Sequence, residues 1–159
     1  MNVTRLNHAV LYVTDLERSV DFYRDVFGFE VIAEESRANA AFLRAPASGN
    51  HHDLGLFGLG AAAAPRRRGS VGLYHLAWQV DTIDDLTDAR ARLLEAGALT
   101  GESSHGATKS LYGVDPDGNE FEVMWLLPRD AWGEYEHAAV IERLDLPAEV
   151  GRWSGVSTG

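Results

Sequence analysis

No cysteine occurs in the 159 residues of this chain, which excludes disulfides, zinc–thiolate centres and thiol nucleophiles. Positive charge is scarce as well: 14 Lys and Arg stand against 24 Asp and Glu, for a formal net charge of −10. A general nucleic-acid binder, or a protein seated on anionic lipid, needs the opposite balance. The N-terminal run MNVTRLNHAV has no apolar core of the kind a signal peptide carries, and no stretch approaches membrane-spanning length. The expected address is therefore the cytoplasm, with neither nucleic acid nor membrane as a partner. What is present is an apolar share of 45% beside 24% charged residues, ordinary for a soluble globular protein. The length suits one domain with a substantial core.

The chain repeats itself weakly. LNHAVLYVTDLE begins at Leu6 and LYHLAWQVDTID at Leu73, each with His two positions after Leu and Val five after His. An aspartate follows near the head of an expected helix, Asp15 in one copy and Asp81 in the other, where it suits the exposed N–H groups. The first helix is read over LERSVDFYRDVF, with Leu16, Val20, Tyr23 and Phe27 at helical spacing and Gly28 as its stop. The second is read over DDLTDARARLLEA, with Leu86, Ala89, Leu93 and Leu94 toward the core and Gly97 after it.

Short extended segments follow each helix: FEVIAEE, NAAFLRA and HDLGLFG, then ALTGES, KSLYGV and NEFEVMWLL. The result is two successive β-α-β-β-β units, joined by the loop GLGAAAAPRRRGSVG. The basic run Arg66-Arg67-Arg68 in that loop reads as solvated, without a function. RDAWGEYEHAAVIERLDL reads as an appended amphipathic helix, packed on the domain or on a second subunit, and RWSGVSTG as a mobile tail.

Strand parity then orders the polar residues. Ala9, Leu11 and Val13 make one face of the first strand, with Leu6, His8, Val10 and Tyr12 on the other. In the repeat, Leu76, Trp78 and Val80 oppose Leu73, His75, Ala77 and Gln79. The wholly apolar faces should cover the helices, leaving both histidines on the mixed face. In DPDGNEFEVMW, Phe121, Val123 and Trp125 alternate with Glu120, Glu122 and Met124, so the last strand adds a carboxylate to that side. Parity does not separate Glu122 from Glu120. Two histidines and one carboxylate form the facial set that leaves positions free on a divalent metal. A single strand histidine is more often a hydrogen-bonded residue than a ligand. Equivalent histidines in two repeats, joined by a carboxylate, favour the metal.

These same stretches carry a resemblance. LNHAVLYVTDLERSVDFYRDVFGF, YHLAWQV and DPDGNEFE resemble the vicinal oxygen chelate superfamily, which includes glyoxalases, bleomycin-resistance proteins and type I extradiol (catechol 2,3-) dioxygenases. The match runs over about residues 5 to 127. It implies an α+β fold in which two βαβββ modules form a cupped mixed sheet around a metal site, with a C-terminal helical extension. The expected layout is a single domain: module one over 5–60, a linker over 61–70, module two over 71–127 and the extension over 128–159. In the G-N-x-x-E form of the motif the ligand glutamate maps to Glu122, with His8 and His75 as its partners. Glu120 then lies nearer the turn, in solvent.

Within that superfamily, three further residues resemble the extradiol pattern. HHDLGLF maps a histidine beside substrate and oxygen to His52, with His51 as its confuser. HGATKSLYGVDPDGN maps a supporting histidine to His105 and a tyrosine to Tyr112. The resemblance implies ring cleavage of a catechol-type diol by O2 at Fe(II), with Mn(II), nickel, zinc or cobalt open to the same ligands. His52 would then move protons, while Tyr112 and His105 would donate hydrogen bonds to the bound substrate oxygen or orient the site. The implied partners are a small aromatic substrate and O2, and a homodimer is expected. Two competitors remain. A glyoxalase-type isomerase or lyase needs a second carboxylate near the end of the first module, where the only acid is Asp53. A non-catalytic antibiotic binder needs no intact triad.

Overall fold

The computed structural model of the chain describes every residue except Pro65, Arg68 and Gly159. Part of the 61–70 linker and of the Arg66–Arg68 run therefore lies outside the described residues. The rest divides into two compact units, Met1–Arg68 and Gly69–Gly159.

The first unit runs β1 (Ala9–Val13), α1 (Leu16–Phe27), β2 (Glu30–Glu35), β3 (Ala40–Arg44) and β4 (Leu54–Gly58). Its sheet has the order β1-β4-β3-β2, with β1 parallel to β4 and the other pairs antiparallel. As expected, Asp15 caps α1, its Oδ1 accepting from Arg18 N at 3.1 Å, and Gly28 ends it at φ 72°. Tyr23, buried on the inner face of α1, meets the rings of Phe22, Phe27 and Phe29.

The second unit repeats the plan with β5 (His75–Val80), α2 (Ile83–Glu95), β6 (Leu99–Ser104), β7 (Thr108–Val114) and β8 (Glu120–Leu126), in the order β5-β8-β7-β6. The α+β reading with paired βαβββ modules holds. Two details differ. The cap of α2 is Thr82, which accepts from Asp85 N at 3.0 Å while Asp85 accepts from Thr82 N at 3.0 Å. Asp81 instead accepts from Ser157 Oγ and from Thr158 N. The buried stripe of α2 is Ile83, Leu86 and Leu93, whereas Leu94 is 52% exposed; steps of three and seven residues keep one face, and the next residue leaves it.

Alternation in the strands decides which side chains are available. Phe121, Val123 and Trp125 of β8 are buried, and Glu122 and Met124 between them are half-buried. Leu11 and Val13 of β1 are likewise buried, while Val10 and Tyr12 are exposed. Each sheet thus places its apolar face inward and offers a mixed face outward.

The C-terminal extension departs from the expected helix. Residues 129–142 form two single-turn helices of 3-10 type, Arg129–Ala131 and Gly133–His137, and then an extended stretch in which Glu142 pairs with Ser104. Gly133 takes φ 49°, which breaks the helical path, and Trp132 Nε1 donates to the Leu127 carbonyl at 2.8 Å. The helix comes later, as α3 (Leu146–Trp153), where Asp145 caps it by accepting from Ala148 N and Pro147 sits in the first turn. The expected tail is also held: Trp153 meets Trp125 at 6.0 Å, and Ser154 Oγ and Gly155 N donate to Asp84. Lys109, the one lysine of the sequence, is buried in β7 between Ser104 Oγ at 2.9 Å and Glu149 of α3 at 3.4 Å. Among the described residues, no helix is long and apolar enough to cross a membrane.

Candidate active site

The mixed face of the second sheet carries a line of polar side chains in contact. β7 and β8 pair so that Tyr112 lies directly opposite Glu122, and β5 places Ala77 on the other side of Glu122. His75, two residues before Ala77, shares its face, and His75 Nε2 comes 3.1 Å from Glu122 Oε2. The other carboxylate oxygen is 3.4 Å from the Tyr112 hydroxyl. That hydroxyl is 2.7 Å from His105 Nε2, and His105 Nδ1 is 2.9 Å from the Val140 carbonyl. Four of the sequence candidates are therefore continuous here: His75, Glu122, Tyr112 and His105. Glu122, rather than Glu120, is the carboxylate that meets His75. Both glutamates are half-buried, so Glu120 is less solvated than expected. Burial, and then the charge of Glu122, push the Tyr112 hydroxyl above its ordinary pKa.

The remaining two candidates meet in the first unit. His8 stands just before β1 and His52 just before β4, and the parallel pairing of those strands brings their rings to 4.5 Å. The contact follows from backbone: Ala9 N donates to the Asp53 carbonyl at 3.0 Å, and Asp53 N to the Leu43 carbonyl at 2.8 Å. Phe42 stands edge-on to His52 at 5.1 Å. His51 is no bystander, since its Nδ1 is 3.0 Å from His52 Nδ1. Burial, followed by the charges of His8 and His51, lowers the pKa of His52 and favours its neutral form.

Asp53, the acid a fourth ligand would require, is otherwise engaged. Its carboxylate accepts from Ala45 N at 2.8 Å, Ser48 Oγ at 2.8 Å and Asn50 Nδ2 at 2.7 Å. Burial alone would raise its pKa; these donors, with His52, outweigh that and hold it below the usual value. The carboxylate organises the loop that presents His52. The sequence marked Asp53 as the one acid near the end of the first module but gave no sign of these local partners.

Whether a metal suits these residues is a question of donor chemistry. An imidazole nitrogen and a carboxylate oxygen face each other at 3.1 Å, and His75 Nδ1 is buried with no hydrogen-bond partner among the described residues. Mixed N and O donors of this kind fit first-row divalent ions. Among the described residues, no three His, Cys, Asp or Glu side chains are gathered into a group that could hold a metal ion.

Comparison with known proteins agrees with the fold. The sequence model described as Glyoxalase/Bleomycin resistance protein/Dioxygenase superfamily matches residues 5–123. Catechol-2,3-dioxygenase of Bacillus subtilis (strain 168) is 35% identical over 129 residues, which cover 81% of this chain and 44% of that protein. Biphenyl-2,3-diol 1,2-dioxygenase 3 of Rhodococcus globerulus is 37% identical over 126 residues, covering 77% of this chain and 64% of that protein. The chain thus spans less than two thirds of either relative. A solved fosfomycin resistance protein, FosX, from Listeria monocytogenes shares the fold with a TM-score of 0.60 at 20% identity, covering 78% of this chain and 94% of its own.

Proposed function

Because the chain belongs to the glyoxalase/bleomycin resistance protein/dioxygenase superfamily, we propose that it is an extradiol dioxygenase that opens the ring of a catechol-type diol with O2. Fold alone does not choose among the activities of this superfamily. The choice rests on one observation: the line His75–Glu122–Tyr112–His105, in which the imidazole and carboxylate we assign to the metal lie beside two hydrogen-bonding groups.

Superfamily members bind divalent metals. In this reading His8, His75 and Glu122 hold the metal, Fe(II) in preference to Mn(II), nickel, zinc or cobalt. A metal there supplies Lewis acidity to the diol hydroxyls and a route for electrons between diol and dioxygen. The protein groups do the rest. His52, whose pKa is lowered by burial and then by His8 and His51, accepts a proton from a diol hydroxyl and returns it as the ring opens. Tyr112 sits at the boundary of the ligand carboxylate and holds the substrate oxygen in place. Phe42, edge-on to His52, offers apolar surface to an aromatic ring. Diol and dioxygen combine atom for atom, giving a ring-opened semialdehyde acid.

Asp53 argues against the glyoxalase-type alternative, since three donors already claim its carboxylate. The test is an oxygen electrode with a panel of catechols and Fe(II)-loaded protein. Oxygen uptake with at least one catechol supports ring cleavage. Metal-dependent isomerisation of a thiol hemiacetal without oxygen uptake replaces it with the glyoxalase-type reading, and saturable binding without product replaces it with a binder.

A further inference from the structure

His105 and Tyr112 are bonded to each other, but what fixes their roles comes from outside the superfamily match, which ends at residue 123. The stretch 133–142 grips the turn 104–106 at two points. On one side Ser104 and Glu142 exchange backbone bonds, Ser104 N to Glu142 O and Glu142 N to Ser104 O, both at 2.9 Å. On the other, the Tyr135 ring lies against Gly106, so close that a Cβ added there would stand 2.4 Å from Tyr135 Cδ1. Gly106 takes φ 75° as well, a conformation that suits glycine. Between these grips the Val140 carbonyl meets His105 Nδ1 at 2.9 Å.

A carbonyl only accepts, so Nδ1 must carry the proton. In a neutral imidazole Nε2 is then an acceptor, and the group 2.7 Å away is the Tyr112 hydroxyl, which must donate to it. That hydroxyl has one proton. Given to His105, it is not given to Glu122 Oε1, the more distant neighbour at 3.4 Å. Glu122 keeps its lone pairs for a cation, and the Tyr112 oxygen turns lone pairs, not a proton, toward whatever binds beside it.

We propose that residues 133–142 are a positioning element, in which the Val140 carbonyl sets the His105 tautomer and thereby makes Tyr112 a hydrogen-bond acceptor for a substrate hydroxyl. This rests on the reading of the site as a diol site. It changes the expected parts of both residues: His105 acts through Tyr112, and Tyr112 accepts from the substrate rather than donating to it. A phenol or catechol hydroxyl would be preferred as ligand over its O-methyl ether, because only the hydroxyl can donate to Tyr112.

The experiment is a long-range proton–nitrogen correlation spectrum of the metal-free full chain with 15N-labelled histidine, at about pH 8, above the ordinary imidazole pKa. His105→Gln identifies the signals. The wild type should show Nδ1 protonated and Nε2 bare; the opposite tautomer overturns the proposal. Glu142→Pro removes the Glu142 N–H bond to Ser104, and should release His105 into a mixture of tautomers. A folded Glu142→Pro protein that keeps the wild-type pattern also overturns it. If that variant does not fold, Tyr135→Ala, which removes only the ring over Gly106, asks the same question with the same two answers. In turnover, either folded variant should lose about tenfold in kcat, the scale of a misplaced hydrogen bond. A wild type that turns over no catechol would sink the proposed function and leave the tautomer result standing.

Discussion

Replacing Asp53 by asparagine separates a loop organiser from a metal ligand. The amide is nearly isosteric, but only one of its two ends accepts. Placed with its oxygen toward Ser48 Oγ and Asn50 Nδ2, it keeps those two bonds in weaker, uncharged form and points an NH2 group at Ala45 N–H, 2.8 Å from the lost oxygen. One half-buried N–H is left unpaired and two charge-assisted bonds become neutral, which together cost about 2 kcal/mol at neutral pH. The bonds that place His8, from Ala9 N to the Asp53 carbonyl, are backbone and persist. Metal loading should therefore survive.

The pH dependence has a definite sign. The folded-state pKa of Asp53 lies below its ordinary value, so its stabilisation is present above the unfolded pKa of about 3.9 and is lost as pH falls through the lower, folded one. Urea melts of wild type and Asp53→Asn should differ by that amount at neutral pH and converge as pH falls below the folded-state pKa of Asp53. Equal stability at neutral pH, or loss of metal from a folded Asp53→Asn protein, would refute the reasoning, and the second result would make Asp53 a ligand.

Four further outcomes are expected. Alanine at His8, His75 or Glu122 should abolish tight metal loading in otherwise folded protein, measured by metal analysis after anaerobic purification, while Glu120→Ala loads normally; the reverse pattern for the two glutamates would overturn the ligand choice. His52→Ala should keep iron and still bind catecholate, with turnover down by about 10²–10⁴-fold, the scale for losing an acid–base group; turnover equal to wild type would remove its role. Glu149→Gln leaves Lys109 buried without its carboxylate and beside Ser104 Oγ, and should cost about 3 kcal/mol in urea melts, with Lys109 opening to amine-reactive reagents; unchanged labelling and stability would mean that α3 docks without the pair. We also expect a homodimer, which a concentration-independent monomer in sedimentation at micromolar protein would exclude.

Legibility in the sequence followed the range of the forces. Period-two alternation and the repeat of His8 and His75 depend on local geometry, so the two βαβββ units and the faces of β1, β5 and β8 could be read directly. The cap of α1 was equally legible, Asp15 acting three residues ahead. The cap of α2 was misplaced by one residue because it was sought by residue type: the register that aligns His8 with His75 sets Thr82 opposite Asp15, and Asp81 is held instead by Ser157 and Thr158, more than seventy residues later. The extension misled for the same reason: its apolar spacing suits a helix, but Gly133, the Trp132 bond to Leu127 and the pairing of Glu142 with Ser104 hold it extended. Ligand-type side chains announce themselves by identity. A main-chain acceptor such as the Val140 carbonyl does not, and no residue pattern could have marked it.

Ring cleavage is tested most directly by the stoichiometry of oxygen uptake. Fe(II)-loaded protein, given a limiting catechol that it turns over, should consume one O2 per diol and yield one ring-opened semialdehyde acid, with neither hydrogen peroxide nor quinone formed. Oxygen uptake that appears as peroxide and quinone, or turnover of a thiol hemiacetal with no uptake at all, would contradict the assignment.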